Sequence, residues 1–169
     1  GVPIIMQHDN LRRTSNASSV YPNRKPWKVH SFTLDELTKL DFGSWFISTD
    51  PFKQIKSGAI KPEELQKFVG EPLLTLRDAL QFTRENNWQI NVEIKDLRRT
   101  PGDSEIVQKV LKTITELKME EQVWLSSFNH LYISQVKQML PGIRTGALVE
   151  WLDLNPLARL RQVGAQSYN

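Results

Sequence analysis

Apolar and polar residues alternate through one short stretch near the middle of the chain, from Trp88 to Lys95. Alternation of this kind predicts a β-strand of an α/β sheet, with one face buried in the core. Asn91, Glu93 and Lys95 are each two residues apart, so their side chains point to the same face of that strand. Because an unpaired buried charge is costly, Glu93 and Lys95 each need a partner.

Two arrangements would give both charges a partner. In the first, the strand ends at a binding site, where Glu93 holds a metal ion and Lys95 holds an anion. In the second, Glu93 and Lys95 form an ion pair with each other and line the interior of a barrel. The spacing of the two residues is compatible with both arrangements.

The chain after residue 70 alternates between strand patterns and amphipathic helix patterns. Helices are predicted to begin at four capping signals, Thr75, Pro101-Gly102-Asp103, Asn129 and Asn155-Pro156. Further strands are predicted at residues 122–128, at 143–149 and from 164 onward. Such alternation predicts a parallel sheet, and a repeat of about 20 residues suits a (β/α)₈ barrel.

The start of the chain predicts one more strand, Val2 to Met6, which leads into the polar run Gln7-His8-Asp9-Asn10. In α/β barrels the catalytic residues lie at the C-terminal ends of the strands, which makes His8 a candidate. A histidine there can also be structural or solvated, and Asp9 either orients the imidazole or starts a turn. Arg12-Arg13 follow as anion-binding residues or as a solvated basic loop.

Residues 15–70 have no clear strand pattern, and we predict an insertion that packs over the end of the sheet. Thr33 and Glu36 form a capping-box pattern, and Pro62 marks the first turn of another short helix. Three aromatic residues are expected to form a small satellite core: Trp27, Trp45 and Phe46. About five strands are present in all, too few to close a barrel.

Composition and charge narrow the classes of function. The net charge is +3, but no run of Lys and Arg is interleaved with aromatic residues. The positive charge therefore favours small anionic substrates over nucleic acid. The absence of cysteine excludes disulfides, thiolate metal sites and a cysteine nucleophile. No apolar run approaches the length of a membrane span, and no glycine-rich phosphate-binding turn follows a strand.

Several segments together resemble the glycerophosphodiester phosphodiesterase family, phospholipase-C-like phosphodiesterases that use a TIM barrel. They occur in family order and span most of the chain: Gly1 to Thr14, Leu34 to Phe46, Thr75-Leu76, Asn91 to Lys95 and Ser126 to Asn129. The resemblance implies an α/β fold, a partial TIM (β/α)₈ barrel with an insertion after the first strand present. It also implies a single, incomplete barrel domain over residues 1–169, with the insertion at 15–70.

The same resemblance implies roles for individual residues. His8 would be one of two catalytic histidines and would protonate the leaving alcohol, with Asp9 as a supporting neighbour. Glu93 would be a ligand of a divalent metal, Mg or Ca, and Lys95 would lie beside the substrate phosphate. Phe128 would contact the glycerol moiety or the wall of the pocket. The implied reaction hydrolyses a small-molecule glycerophosphodiester to glycerol 3-phosphate and an alcohol, through attack by the neighbouring glycerol hydroxyl.

Two motifs of the family are missing from this sequence: a His-Arg-Gly with the other catalytic histidine, and a Glu-x-Asp pair with two more metal ligands. We therefore expect a fragment of a barrel that lacks the first two strands and the last. Because one carboxylate holds Mg or Ca poorly, the 169 residues alone are expected to bind metal weakly and not to turn over substrate.

Alternative functions follow from the same features. One is a catalytically inactive barrel that binds phosphodiesters or a protein partner. Another is a phospholipase D-type toxin or a phosphoinositide-specific lipase, against which the segment Leu34 to Phe46 argues. His30 and His130 are expected to be solvated or capping residues, since neither follows a strand. Glu150 follows a predicted strand and would line the mouth of the site.

Overall fold

Four strands in the described part of the chain form one parallel sheet and lie in it in chain order. They are β1 (Ile90–Glu93), β2 (Val123–Ser127), β3 (Arg144–Ala147) and β4 (Ser167–Tyr168). In this computed structural model, residues 1–149, 158, 161 and 163–168 are described. Each strand pairs with the next along the chain, as successive βαβ units do. The predicted α/β fold with a parallel sheet is therefore confirmed.

Six α-helices have described bounds: α1 (Ala17–Val20), α2 (Leu34–Leu37), α3 (Ser44–Thr49), α4 (Leu76–Glu85), α5 (Ile106–Glu116) and α6 (His130–Met139). Two 3₁₀ helices lie at Val29–Ser31 and Pro62–Phe68. Within the described residues, none of the helices combines the length and the apolar character needed to cross a bilayer.

The second of two compact units, Thr75–Asn169, contains the sheet and helices α4, α5 and α6. One face of the sheet packs against these helices, because each strand turns alternate apolar residues to that side. The buried core includes Leu80, Val92, Ile94, Val110, Ile114, Val123, Leu125, Tyr132, Val136 and Ile143. The opposite face carries Asn91 and Glu93, which places the candidate charges on the side away from the helices.

The first compact unit, Gly1–Leu74, is held by its own apolar cluster of Leu11, Ala17, Trp27, Phe32, Leu37, Leu40 and Leu73. It contains short helices and no strand, and residues 15–70 lie within it. Trp27 joins this cluster as predicted, whereas Trp45 and Phe46 meet each other edge to face, and Phe46 contacts Phe68. The predicted capping box of Thr33 and Glu36 is present at α2.

The predicted strand from Val2 to Met6 is wrong. Val2 and Ile5 are 52% and 41% exposed, and the Ile5 amide donates to the Leu74 carbonyl at 2.9 Å. A strand needs a ladder of hydrogen bonds with a neighbouring strand, and the first unit contains none.

The helix starts of the second unit follow the predicted caps at two places and depart from them at one. Thr75 caps α4 and Asn129 caps α6. The predicted cap of α5 by Pro101-Gly102-Asp103 is wrong, because α5 begins after Glu105 and the Asp103 carboxylate accepts instead from the Tyr132 hydroxyl. The predicted helix at Asn155-Pro156 lies outside the described residues.

Candidate functional site

His8 lies on an irregular loop of the first unit and is half-buried. An isolated antiparallel bridge pairs Asn10 with Lys28, and the Val29 amide donates to the Asp9 carbonyl at 2.9 Å. The Asp9 carboxylate forms an ion pair with the Lys28 ammonium group. The structure thus holds Asp9 through Lys28, and the support of His8 by Asp9 stays a prediction.

An arginine occupies one nitrogen of the His8 ring. The Nη1 atom of Arg13 lies 2.7 Å from the Nε2 atom of His8. Because a guanidinium group is always protonated and only donates, Nε2 must accept, which assigns the proton of the neutral ring to Nδ1. Arg13, for which the sequence left two roles open, therefore contacts the candidate acid itself.

Glu93 and Lys95 lie at the C-terminal end of β1 and form an ion pair with each other. The Lys95 Nζ atom is 2.8 Å from Oε2 of Glu93, and the two side chains are 41% and 28% exposed. The ion pair of the second arrangement is therefore present, whereas its place in the interior of a barrel stays a prediction. A partly exposed ion pair is worth about 1 kcal/mol or less, so a ligand can compete with Lys95 for the carboxylate.

A row of small and polar residues crosses the sheet at the level of Glu93. Glu93 of β1 lies opposite Ser126 of β2. Ser126 lies opposite Gly146 of β3, which lies opposite Ser167 of β4. Residues in register on neighbouring strands point to the same face, which here is the face away from the helices. We refer to these four residues as the polar row.

Ser126, like Gly146 and Ser167, was not among the candidate site residues predicted from the sequence. Its side chain is 3% exposed, and its hydroxyl has no hydrogen-bond partner in the described chain. The signal available in the sequence was the pair of hydroxyl residues, Ser126-Ser127, at the end of a predicted strand.

Hydrogen bonds at the ends of β1 and β2 hold the polar row in place. The Ile94 amide donates to the Ser126 carbonyl at 2.7 Å, and the Ser127 hydroxyl donates to the Ile94 carbonyl at 2.7 Å. The Ser127 hydroxyl also accepts from the Asn129 amide at 3.0 Å. Two neighbouring serines therefore differ in role, since the fold uses the hydroxyl of Ser127 and leaves that of Ser126 free.

A second polar network holds the loop that follows β1. The Asp96 carboxylate accepts from the Arg98 side chain at 2.7 Å and from the Asn129 side chain at 3.1 Å. The hydrogen bond from Arg98 lowers the pKa of Asp96 and outweighs the opposing effect of burial. Burial, with the 2.5 Å hydrogen bond to Asp103, raises the pKa of Tyr132 to about 12. The carboxylates of Asp96 and Asp103 therefore both form hydrogen bonds that stabilise the fold.

The remaining candidate side chains lie around the ends of the strands and in the first unit. Phe128 follows β2 and is 46% exposed, which leaves its ring open to a ligand. Its contact with a ligand stays a prediction. The His130 Nε2 group donates to the Leu148 carbonyl at 2.9 Å, and His30 is exposed in a 3₁₀ helix. Glu150 lies outside the described residues.

An open cavity of about 460 Å³ lies on the first unit, lined by Asn10, Arg12, Ser18, Lys25, Pro26 and Trp27. Its two cations, Arg12 and Lys25, make the wall basic. Arg12 lies beside a second cation, Lys25, in this cavity. Anion binding by Arg12 stays a prediction.

The described residues do not fit a complete metal site on their own. Among them, no three His, Cys, Asp or Glu side chains lie close enough together to hold a metal ion. Glu93 offers a hard oxygen ligand of the kind that Mg and Ca prefer, but these ions take about six oxygen ligands or more. Glu93 is therefore one candidate ligand rather than a site.

The sequence of the chain is similar to those of known proteins. The sequence profile of the glycerophosphoryl diester phosphodiesterase family matches residues 1–167. A glycerophosphodiester phosphodiesterase from Caldanaerobacter subterraneus subsp. tengcongensis is 31% identical over 148 residues, which is 87% of this chain and 49% of that protein. Human glycerophosphoinositol inositolphosphodiesterase GDPD2 is 30% identical over 152 residues, which is 85% of this chain and 26% of that protein.

Solved structures share the fold at lower identity. A phosphodiesterase from Oleispira antarctica, in complex with the product sn-glycerol-3-phosphate, matches with a TM-score of 0.68 and 20% identity. The match covers 99% of this chain and 57% of that one. A glycerophosphodiester phosphodiesterase from Agrobacterium tumefaciens matches with a TM-score of 0.61 and 16% identity, over 99% of this chain and 67% of that one.

The chain spans about half the length of the bacterial relative and about a quarter of the human one. Within that span, the family profile covers both compact units, and the sheet that carries Glu93 and Lys95 has the fold of the solved relatives. The chain belongs to the glycerophosphoryl diester phosphodiesterase family.

Proposed function

We propose that this chain supplies part of the active site of an enzyme that hydrolyses glycerophosphodiesters to glycerol 3-phosphate and an alcohol. The observation that carries the proposal is the match of the family profile to residues 1–167. The complex of the Oleispira antarctica relative with sn-glycerol-3-phosphate supports the choice of substrate. We also infer that the parallel sheet is part of a TIM barrel, with residues 15–70 as an insertion.

The proposed roles follow from what a phosphodiester needs. Its negative charge must be neutralised, its nucleophile oriented and its leaving oxygen protonated. Lys95 supplies a positive charge at the end of β1, beside Glu93. His8 is the proposed general acid, because histidine is the side chain that most often transfers protons in enzymes. Phe128 is the proposed wall of the pocket.

The contact of Arg13 with His8 adds a step to this mechanism. As long as Arg13 donates to Nε2, that nitrogen cannot carry the proton that a leaving alcohol would receive. A bound phosphate attracts a guanidinium group, because the two form charge-assisted hydrogen bonds. We infer that a bound phosphate draws Arg13 away from His8, so that Nε2 is free to carry the proton that the leaving alcohol receives.

A divalent metal, Mg or Ca, is part of the proposal for the complete enzyme. When bound, such an ion polarises the phosphoryl oxygens and stabilises negative charge. Glu93 would be one of its ligands, and the described residues offer no cluster of three His, Cys, Asp or Glu side chains to complete the set. Lys95 and the Glu93 carboxylate orient the substrate at the end of β1.

The test measures glycerol 3-phosphate released by the full-length protein from glycerophosphocholine, glycerophosphoethanolamine and glycerophosphoinositol. Each substrate is assayed with Mg, with Ca and with a chelator. Release that depends on a divalent ion supports the proposal. Binding of these diesters without release under any of the conditions would instead identify a catalytically inactive member of the family.

A further inference from the structure

Ser126 carries a buried polar group that the fold leaves unused. Its side chain is 3% exposed, and within the described part of the chain its hydroxyl is the buried side-chain polar atom that lacks a hydrogen-bond partner. Buried polar groups in proteins are nearly always hydrogen-bonded, and one left unpaired destabilises the fold. An unpaired buried hydroxyl beside Glu93 therefore points to a ligand.

The neighbours of Ser126 in the polar row define what such a ligand meets. Glu93 lies opposite Ser126 on one side, and Gly146 lies opposite it on the other. A Cβ atom on Gly146 would come within 2.7 Å of the Ser167 Oγ atom, so a larger residue would displace the Ser167 side chain. The row thus brings one carboxylate and two hydroxyls to one face of the sheet.

The hydrogen-bonding properties of the row select the chemistry of the ligand. An ionised carboxylate such as Glu93 only accepts hydrogen bonds, whereas the Ser126 hydroxyl both donates and accepts. A phosphate oxygen at this level would be repelled by Glu93, but a ligand hydroxyl can accept from Ser126 while it donates to Glu93. Two residues further along the chain, Lys95 provides the positive charge that a phosphate needs. The arrangement suits a molecule with a hydroxyl group close to a phosphate.

We propose that Ser126, together with Glu93, binds a hydroxyl group of the glycerol moiety and thereby selects substrates that carry this hydroxyl. The inference rests on the proposed function, since that function brings a glycerol phosphate to Glu93 and Lys95. An ionised carboxylate has about four lone-pair positions, so Glu93 can accept this hydroxyl and keep its other partners.

The test compares two ligands that differ only in their hydroxyl groups, glycerol 3-phosphate and propyl phosphate. Calorimetric titration of the full-length protein measures both affinities. Ser126→Ala should weaken the binding of glycerol 3-phosphate about tenfold, the loss expected for one hydrogen bond to a ligand, and leave propyl phosphate unchanged. The Tm of the free variant should not fall, because the hydroxyl has no partner in the fold.

Ser127→Ala is the matched control, because the two serines are neighbours on the same strand. The Ser127 hydroxyl bonds to the Ile94 carbonyl and the Asn129 amide, so its loss should lower the Tm. Any loss of affinity in this variant should be the same for both ligands.

Two results would count against the role of Ser126 and leave the proposed function standing. One is an equal change in affinity for both ligands in Ser126→Ala, and the other is a lowered Tm with both affinities unchanged. A wild-type protein that binds neither ligand and releases no glycerol 3-phosphate would overturn the proposed function and this inference together.

Discussion

The two compact units hold their candidate residues in different ways. In the first unit, Gly1–Leu74, His8 lies on a loop fixed by turns, a single bridge and an apolar cluster. In the second unit, Glu93 lies on a strand whose register with β2 fixes its neighbour, Ser126. Both candidate side chains have a protein partner, Arg13 for His8 and Lys95 for Glu93.

In the proposed mechanism, a ligand would therefore act differently on the two units. In the sheet, backbone hydrogen bonds fix the positions of Glu93 and Ser126, so a substrate bound as proposed would meet groups that are already placed. In the loop, the ring of His8 is bonded to an arginine, so the proposed use of Nε2 as proton donor would first require Arg13 to leave. Substitutions in the two units should therefore change different measured properties, either the rate of the reaction or the stability of the fold.

The largest expected effect is the loss of His8. His8→Ala should lower kcat about 10²–10⁴-fold, the usual contribution of a general acid, with a smaller change in KM. The control is His30→Ala, since His30 is an exposed histidine of the same unit and should be dispensable. Steady-state kinetics of the full-length protein on glycerophosphocholine give both constants, and a His8→Ala variant with normal kcat would remove His8 from the mechanism.

The next effect is on stability and tests the packing behind the sheet. Leu125 lies on β2 and is 0% exposed, on the face that packs against the helices. Leu125→Ala should lower the free energy of unfolding by about 2–5 kcal/mol, because it leaves a cavity in the core. Leu131→Ala, at a residue that is 70% exposed, should change it by less than about 0.5 kcal/mol. Urea unfolding measures both, and equal losses would contradict the burial of Leu125 in the core behind the sheet.

A smaller effect is on the stability of the first unit at acid pH. Burial opposes ionisation of Asp41, but hydrogen bonds from the Ser44 hydroxyl and from the Ser44 and Gly43 amides prevail and lower its pKa from 3.8 to about 2. Because the folded pKa lies below the unfolded one, this stabilisation is present above about pH 4 and is lost as the pH falls towards 2. Asp41→Asn should cost about 1 kcal/mol at pH 7.

The pH dependence of unfolding separates this effect of Asp41 from a general loss of stability. Urea unfolding of wild type and Asp41→Asn, repeated between pH 7 and pH 2, should show the two curves converging as the pH falls. A constant difference at every pH would show that the charge of Asp41 does not contribute.

The smallest effect is on the stability of the second unit at alkaline pH. Burial and the bond to Asp103 raise the pKa of Tyr132 to about 12, above its ordinary value of 10.0. The stabilisation is therefore complete below pH 10 and is lost as the pH rises through 12. Tyr132→Phe should remove this alkaline transition, which ultraviolet absorbance of the phenolate follows. A Tyr132 that ionises near the ordinary value of 10.0 would disprove this environment.

The second unit was more predictable from the sequence than the first, for a physical reason. Alternation and capping residues are local signals, and they located β1 together with the caps Thr75 and Asn129. A strand at Val2 to Met6 needed a neighbouring strand, which no local pattern can supply. Asp103 likewise met a distant partner, Tyr132, that outcompeted its local role as a cap.

The candidate site shows the same limit. The spacing of Glu93 and Lys95 gave their common face, but the choice between an ion pair and a ligand needed the three-dimensional contact. The isolation of Ser126 depends on the register of several strands, and the contact of Arg13 with His8 depends on the path of a loop. Neither follows from residue type or spacing.

The role of Glu93 is tested by the rate at which the full-length protein releases glycerol 3-phosphate from glycerophosphocholine, measured for wild type, Glu93→Gln and Glu85→Gln. Glu85 is an exposed acid at the end of α4 and serves as the control. We predict release by wild type and by Glu85→Gln, with a loss of about 100-fold or more in Glu93→Gln, since the carboxylate would hold substrate or metal at the end of β1. If Glu93→Gln released glycerol 3-phosphate at the wild-type rate, Glu93 would have no role in the reaction. If the wild type released none, the proposed activity would be wrong.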